Sequence, residues 1–415
     1  KDVKWSFDRM RKSVDFKGLL EPFDGCYIVD DYTVDIKTKK AYPLVLNMAT
    51  YFFAMDSEFY TGTDEHGQPK DAILKIGESF ALNNASGTGP FIVTNRQHNV
   101  VLEMKRFADY WDTNSPGNVT EFILSPIKEN ATRVAALLSG GVDWISPVPP
   151  QDFARIRNDD KVKLVNINGG RIITFQMNPN RVEAFKDVRV RQAIVHAVNN
   201  EGIVKQIMKG TATVAAQQGP KGYLGYKENL TPRYDLEKAK ALMKEAGYEN
   251  GFEISMMAPN NRYVNDAKIA EATAQMLGKI GIKVNLKTMP KAQYWNEFDA
   301  RAADMMMIGW HSDTEDSGNF SEFLTMCPNA ETGYGQYNSG YCNPRVDELT
   351  IAAQSETDLE KRTAMLQEIE QILYDDAAFV PYHWQNHSYG VKKNVRAQPV
   401  INAQNFPYIG DLVIE

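Results

Sequence analysis

At 415 residues the chain is longer than one hydrophobic core usually organises, which predicts two or three domains. With 43% hydrophobic and 24% charged residues the composition is that of an ordinary globular protein, and 46 basic against 53 acidic side chains leave a net charge of −7. That balance, with no basic cluster interleaved with aromatics, argues against nucleic acid as a partner, and no apolar run approaches the ~18 residues of a membrane-spanning helix.

The chain opens on Lys1-Asp2-Val3-Lys4-Trp5 without an initiator Met, which predicts a processed or trimmed product. Its first part is mixed and aromatic-rich, with turn signals at Asp24-Gly25 and Glu65-His66-Gly67. Gly87-Thr88-Gly89 has part of a phosphate loop's glycines but lacks its Lys-Ser/Thr ending, and Pro90 follows at once. A tight turn before a strand at Phe91-Ile92-Val93 is the better reading. A helix is expected over Ala131 to Ser139, stopped by Gly140-Gly141, then β-like runs at Val142 to Ile145 and Arg171 to Met177. Helices follow over Asp187 to Val198 and over Asp235 to Ala246, the latter with an Asp cap and Gly247 as its stop. Asp266 to Ile280 lines up Ile269, Thr273, Met276, Leu277 and Ile280 on one face and ends at Gly281. Ile282, Val284 and Leu286 then alternate with polar residues, a half-buried strand that completes a helix–strand unit of an α/β layer. A last helix starts at Thr357 with Glu360 three residues on, a capping box, and Pro381 lies beyond its exit.

The richest segment runs from Ile308 to Asp316. The apolar run Met305 to Ile308 predicts a short buried strand, with its methionines as core filler rather than a soft-metal site. Gly309 permits close backbone approach, and Trp310 offers a flat wall with one N–H donor. After His311, the acidic residues Asp313, Glu315 and Asp316 crowd the strand's C-terminal end, where open α/β sheets place ligands. A carboxylate beside an aromatic wall suits a ligand ammonium; the plainer alternative is a polar turn in which Asp313 or Asp316 caps a helix. The histidines form no helical metal-ligand pair, since His383 and His387 fall in a β-like stretch, and no Gly-x-Ser-x-Gly nucleophile elbow occurs. No catalytic constellation and no cofactor site are expected. Cys327 and Cys342 stand 15 positions apart in a loop-like stretch, either as a bridge or as two free thiols, and Cys26 is left over.

Taken in order, several segments resemble the extracytoplasmic solute-binding proteins of ABC importers for dipeptides, oligopeptides and nickel. They are Asp2-Val3-Lys4-Trp5-Ser6-Phe7-Asp8-Arg9, then Gly87-Thr88-Gly89-Pro90-Phe91 with Arg106 and Tyr110-Trp111. Phe185 to Ala193 leading into Ala197-Val198-Asn199 is the most specific block. Tyr234-Asp235 through Tyr248, Gly309-Trp310 with Asp313, and Tyr337 to Asn343 with Asp347 complete the series.

The resemblance implies a bilobed α/β protein of the class II periplasmic-binding type that closes over its ligand by a hinge. Its expected parts are an extra domain over 1–85, a first lobe over 86–172 and 396–415, and a second lobe over 173–395. It further implies that Asp313 takes a peptide's ammonium and that Arg262 takes the carboxylate of a dipeptide. Trp310, Gly309 and His311 would line the ligand, and Cys327 would pair with Cys342. The expected partners are a peptide or small solute and the membrane subunits of a permease, for a monomer in the periplasm or on the outer face of the membrane. Family members also carry a further segment before the Asp-Val-x-Phe-Ser-Phe element, so part of the first lobe is expected to be missing. Alternatives are a nickel chelate or an oligosaccharide as cargo, a chaperone or chemoreceptor role, or a peptidase.

Overall fold

The computed structural model describes residues 1–74, 77–402 and 405–415, so residues 75–76 and 403–404, within the expected ranges 1–85 and 396–415, lie outside it. Near the start, the helix Asp2–Met10 turns Phe7 inward against an antiparallel pair, β1 (Phe23–Ile28) and β2 (Val34–Thr38). Phe7, Phe23 and Phe52 meet edge to face there, and the free thiol of Cys26 is buried in the same cluster. A second antiparallel sheet follows, β3 (Phe91–Gln97), β4 (Val101–Arg106) and β5 (Glu121–Leu124).

The centre is a mixed seven-stranded sheet. Its strands are β6 (Trp144–Ile145), β7 (Val162–Met177), β8 (Ala212–Val214), β9 (Phe252–Pro259), β10 (Ile282–Met289), β11 (Met305–Trp310) and β12 (Phe379–Lys392). They lie in the order β10-β9-β11-β7-β12-β6, with β8 beside β12. Strands β9, β10 and β11 are parallel, and the helices Asp266–Gly278 and Lys291–Asp299 make the crossovers between them. Both sheet faces are covered. Met305 and Met307 pack with Ile173 and Phe175 on one side, while Met306 and Ile308 pack with Ile172 and Phe320 on the other. An unbroken apolar run is what a strand buried on both faces requires.

Strands β7 and β12 pair antiparallel along nearly their whole length, from Gln176 opposite Phe379 to Val162 opposite Lys392. One end belongs to the large core, and the other to smaller clusters around Tyr389, Val391, Leu137 and Ile156. Between the two ends the register shifts at Pro381/His383 and again at Gln385/His387. Two glycines sit in β7 at this middle stretch. A Cβ on Gly169 would stand 2.3 Å from the Gln385 carbonyl oxygen, and one on Gly170 2.4 Å from the Tyr223 hydroxyl oxygen. A side chain at Gly169 would meet backbone, and one at Gly170 would have to displace the Tyr223 ring.

Several expectations shift at their edges. Strand β7 begins at Val162 rather than Arg171, because Val162 to Ile167 pair with Lys392 to His387 of β12 and the strand continues through Asn168, Gly169 and Gly170, where the register shifts. Strand β6 is only Trp144–Ile145, and the helix placed at Ala131 to Ser139 spans Asn130–Leu138. Asp187 and Asp235 cap their helices, accepting from the Arg189 and Lys238 amides. The last long helix, Leu359–Asp375, is capped by Asp358, which accepts from the Glu360 and Lys361 amides, so the capping box at Thr357 does not form. Cys327 and Cys342 are joined by a disulfide. Among the described residues no helix is long and apolar enough to cross a membrane.

Candidate functional site

The sheet's pairing assembles the site. Gly309 and Trp310 at the end of β11 lie opposite Ile173 and Ile172 of β7, so the next residue of β7, Arg171, arrives beside them. A Cβ on Gly309 would stand 2.6 Å from Ile173 Cδ1 and 2.8 Å from Tyr263 Cε1, so this position has room only for glycine. The Gly309 amide donates to the Tyr263 hydroxyl (2.8 Å), and the Gly309 carbonyl oxygen lies 3.5 Å from Arg171 Nη1.

Beyond the strand the chain folds back on itself through side-chain contacts. Asn319 Oδ1 accepts from Trp310 Nε1 (3.1 Å) and from the Asp313 amide (2.9 Å), and Ser312 Oγ accepts from the Thr314 and Asp316 amides. Asp316 caps the helix Ser317–Leu324 and pairs with buried Arg362. Of the two acids weighed as caps it is therefore Asp316 that does that work, and Asp313 is left facing the cleft. Trp310 tilts against Phe323 at 4.7 Å and Tyr337 at 5.0 Å, at the seam between the large core and the N-terminal cluster.

Asp313 is 6% exposed and carries a partner from the N-terminal part: the Tyr51 hydroxyl donates to its Oδ1. Asn47 Nδ2 donates to the neighbouring Thr314 carbonyl (3.2 Å), tying the same segments together. Burial pushes the Asp313 carboxyl up from 3.8 to about 6, against the lowering effects of the Tyr51 hydrogen bond and the Arg171 charge. His311 Nε2 stands 3.5 Å from Asp313 Oδ1, and neither ring nitrogen has a hydrogen-bond partner among the described residues. Burial first, then Arg171, His387 and Arg262, pulls the imidazole down to about 3, so it is neutral at physiological pH. The ring of Phe406, from the C-terminal segment, meets both His311 and Tyr51 at 6.1 and 6.4 Å. Three distant parts of the chain thus meet around Asp313 and His311.

Arg262 lies on the loop after β9. Asp266 holds that loop by accepting from the Arg262 and Tyr263 amides, and Gln385 of β12 accepts from the Val264 amide. The Arg262 guanidinium is exposed and rests 5.0 Å from the Tyr263 ring. Arg171 feels both it and the acid: burial and the Arg262 charge pull Arg171 down to about 10, while Tyr263 and Asp313 act the other way. Among the described residues no carboxylate lies within ion-pair distance of Arg171 or Arg262. Contacts and charges therefore link the expected residues Gly309, His311, Asp313 and Arg262 with Tyr51, Arg171 and Phe406, and Trp310 stacks beside His311. Tyr51, Arg171 and Phe406 carry no local signature, and only the alternation of β7 opposite Gly309 could have pointed to Arg171. His383 is fully buried in β12, and no group of metal-ligating side chains is present among the described residues.

Comparison with known proteins gives this cleft a context. Residues 1–332 match the family described as bacterial extracellular solute-binding proteins, family 5, middle region. The chain is 30% identical over 401 residues to the dipeptide-binding protein of Escherichia coli K12, covering 91% of this chain and 71% of that protein. It is 27% identical over 376 residues to heme-binding protein A of Haemophilus influenzae, covering 89% of this chain and 65% of that protein. Its fold matches the dipeptide binding protein of Pseudoalteromonas sp. SM9913, solved with Met-Leu, at a TM-score of 0.86 and 21% identity, covering 100% of this chain and 83% of that one. Family and fold agree, and the chain belongs to the bacterial extracellular solute-binding proteins of family 5, which are binding proteins rather than enzymes.

Proposed function

We propose that the chain captures a small zwitterionic peptide, of dipeptide size, and presents it to an ABC permease outside the cytoplasmic membrane. One observation carries this reading: a buried carboxylate, Asp313, acts electrostatically on Arg171, which Arg262 also influences, and neither arginine is paired with an acid among the described residues. Charges held unpaired in a protein cost free energy that a ligand of complementary charge offsets on binding. Asp313 would take the ammonium and Arg262 the terminal carboxylate, with Trp310 and His311 walling the side chains. The two crossing strands β7 and β12, with their register shifts and paired glycines, would flex as the lobes 86–172 with 396–415 and 173–395 close, the extra domain 1–85 contributing Tyr51. Ligand would stabilise the closed form, which the permease would recognise.

Two features support a peptide over a sugar or a chelated metal. The cleft's polar groups are charged with both signs, and no metal-ligating cluster accompanies His311 among the described residues. The test is a thermal-shift panel on protein stripped by unfolding and refolding. Dipeptides, tetra- to hexapeptides, nickel with histidine, and cello-oligosaccharides are each added in large excess. Ligand at ~100 times its Kd adds about 2.7 kcal/mol, enough to read. Dipeptides are expected to raise Tm most; a shift with nickel–histidine or sugar alone rejects the proposal.

A further inference from the structure

Arg171 has no role in the two-point recognition just described, and its placement asks for one. It follows the glycine pair Gly169-Gly170 within β7, one residue before the Ile172 that lies opposite Trp310, and the only hydrogen bond of its side chain among the described residues runs to the Gly309 carbonyl at 3.5 Å, the long limit of such a bond. That carbonyl is already approached by the Tyr263 hydroxyl at 3.4 Å. A guanidinium offers five N–H donors in a planar fork and needs more than one shared, distant acceptor. Arg171 feels the like charge of Arg262 and the opposite charge of Asp313, yet no carboxylate stands within ion-pair distance of it among the described residues. Arg262 reaches solvent, so it is the under-used fork of Arg171 that calls for an anion from the ligand.

The charges of the cleft settle what that anion accompanies. The groups that face it are Asp313, Arg171 and Arg262, with His311 neutral and Tyr51 hydrogen-bonded to the acid. An ordinary dipeptide brings one ammonium and one carboxylate, which match Asp313 and Arg262 and leave one positive charge unanswered. Resting on the dipeptide reading above, we infer that Arg171 forms a third charged subsite, which selects peptides carrying a second carboxylate on a side chain, so that a ligand of net charge −1 neutralises the site. Arg171 acts there as a specificity residue: its fork takes the side-chain carboxylate in a two-pronged hydrogen-bonded pair. The same subsite turns away basic side chains by direct repulsion.

The test compares isosteric pairs by calorimetry on the stripped protein: Glu-Ala against Gln-Ala, and Ala-Glu against Ala-Gln, with Lys-Ala as the repelled case. In at least one pair the acid is expected to bind roughly 10- to 100-fold tighter than its amide, the range of a hydrogen bond to a charged group. In Arg171→Met that ratio is expected to collapse to about one while Gln-Ala and Ala-Gln lose little. Equal affinities for acid and amide in both pairs overturn the acidic subsite and leave dipeptide capture standing. An equal loss for all peptides in Arg171→Met overturns it too, since Arg171 would then hold the main-chain carboxylate. Failure of every peptide to bind a cooperatively melting protein rejects both readings together. The acid–amide comparison needs no variant, so a poorly folding Arg171→Met does not rescue the idea.

Discussion

Replacing Asp313 by asparagine isolates the charge of the buried acid while keeping an acceptor for the Tyr51 hydroxyl. The carboxyl stands at about 6 against an ordinary 3.8, a displacement that corresponds to about 3 kcal/mol against the ionised form. Because the folded value lies above the unfolded one, the protonated acid favours the fold. The empty protein should lose stability as pH rises from near 4 to near 6, and the penalty should then stay constant to neutral pH. The neutral amide carries no such penalty, so Asp313→Asn should melt a few degrees higher than the parent at pH 7 and level with it below pH ~4. Binding runs the other way. A ligand ammonium needs the ionised acid, so affinity should fall about tenfold per pH unit below the value of about 6. A peptide's own carboxylate, near ~3.5, stays ionised down to pH ~4.5 and does not blur that slope. Calorimetric titrations of the parent and of Asp313→Asn between those limits read both effects. A Kd that does not change with pH in the parent, or an Asp313→Asn protein that binds and melts as the parent does, refutes the reasoning.

Other substitutions separate the neighbouring roles. Arg262→Ala should weaken dipeptides more than tetra- or hexapeptides in the same titrations, and equal losses would remove its carboxylate role. Asp316→Ala should cost about 3–5 kcal/mol in urea unfolding because Arg362 is left buried and alone, while ligand affinity in the folded protein stays near that of the parent; a mild loss of stability would show that the pair is replaceable. Reducing Cys327–Cys342, which closes a separation of 15 residues, should lower stability by about 3 kcal/mol, and an unchanged urea midpoint would show that the loop Asn329 to Tyr341 is held by packing alone.

Helices whose signals are local were legible in the sequence. Asp187 and Asp235 cap where their side chains reach the next turn's amides, while the cap near Thr357 slipped by one residue, to Asp358, and the helix expected from Ala131 starts one residue earlier. Strand β7 was half legible, since Gly169 and Gly170 look like turn residues until β12 and Tyr223 are seen pressed against them. The site divides the same way. The stretch Gly309 to Asp313 stands out as a segment, with glycine, an aromatic wall and acids in succession. Tyr51 and Arg171 are separated from it by long stretches of chain, and each arrives through packing that no local pattern encodes: a hydroxyl from the N-terminal part, and the strand register that sets Ile172 and Ile173 opposite Trp310 and Gly309.

The pairing of β7 with β12 also sets the order in which this protein is able to assemble. Val162–Met177 finds its partner only when Phe379–Lys392 has been made, with the strands β9, β10 and β11 and their helices already emerged between them. Until then one edge of β7 is an open row of amides and carbonyls. Closing so long a loop is a late and slow event. The cores at the two ends of that strand pair are therefore completed only after Phe379–Lys392 has been made. A chain cut anywhere between the two strands would leave both unfinished.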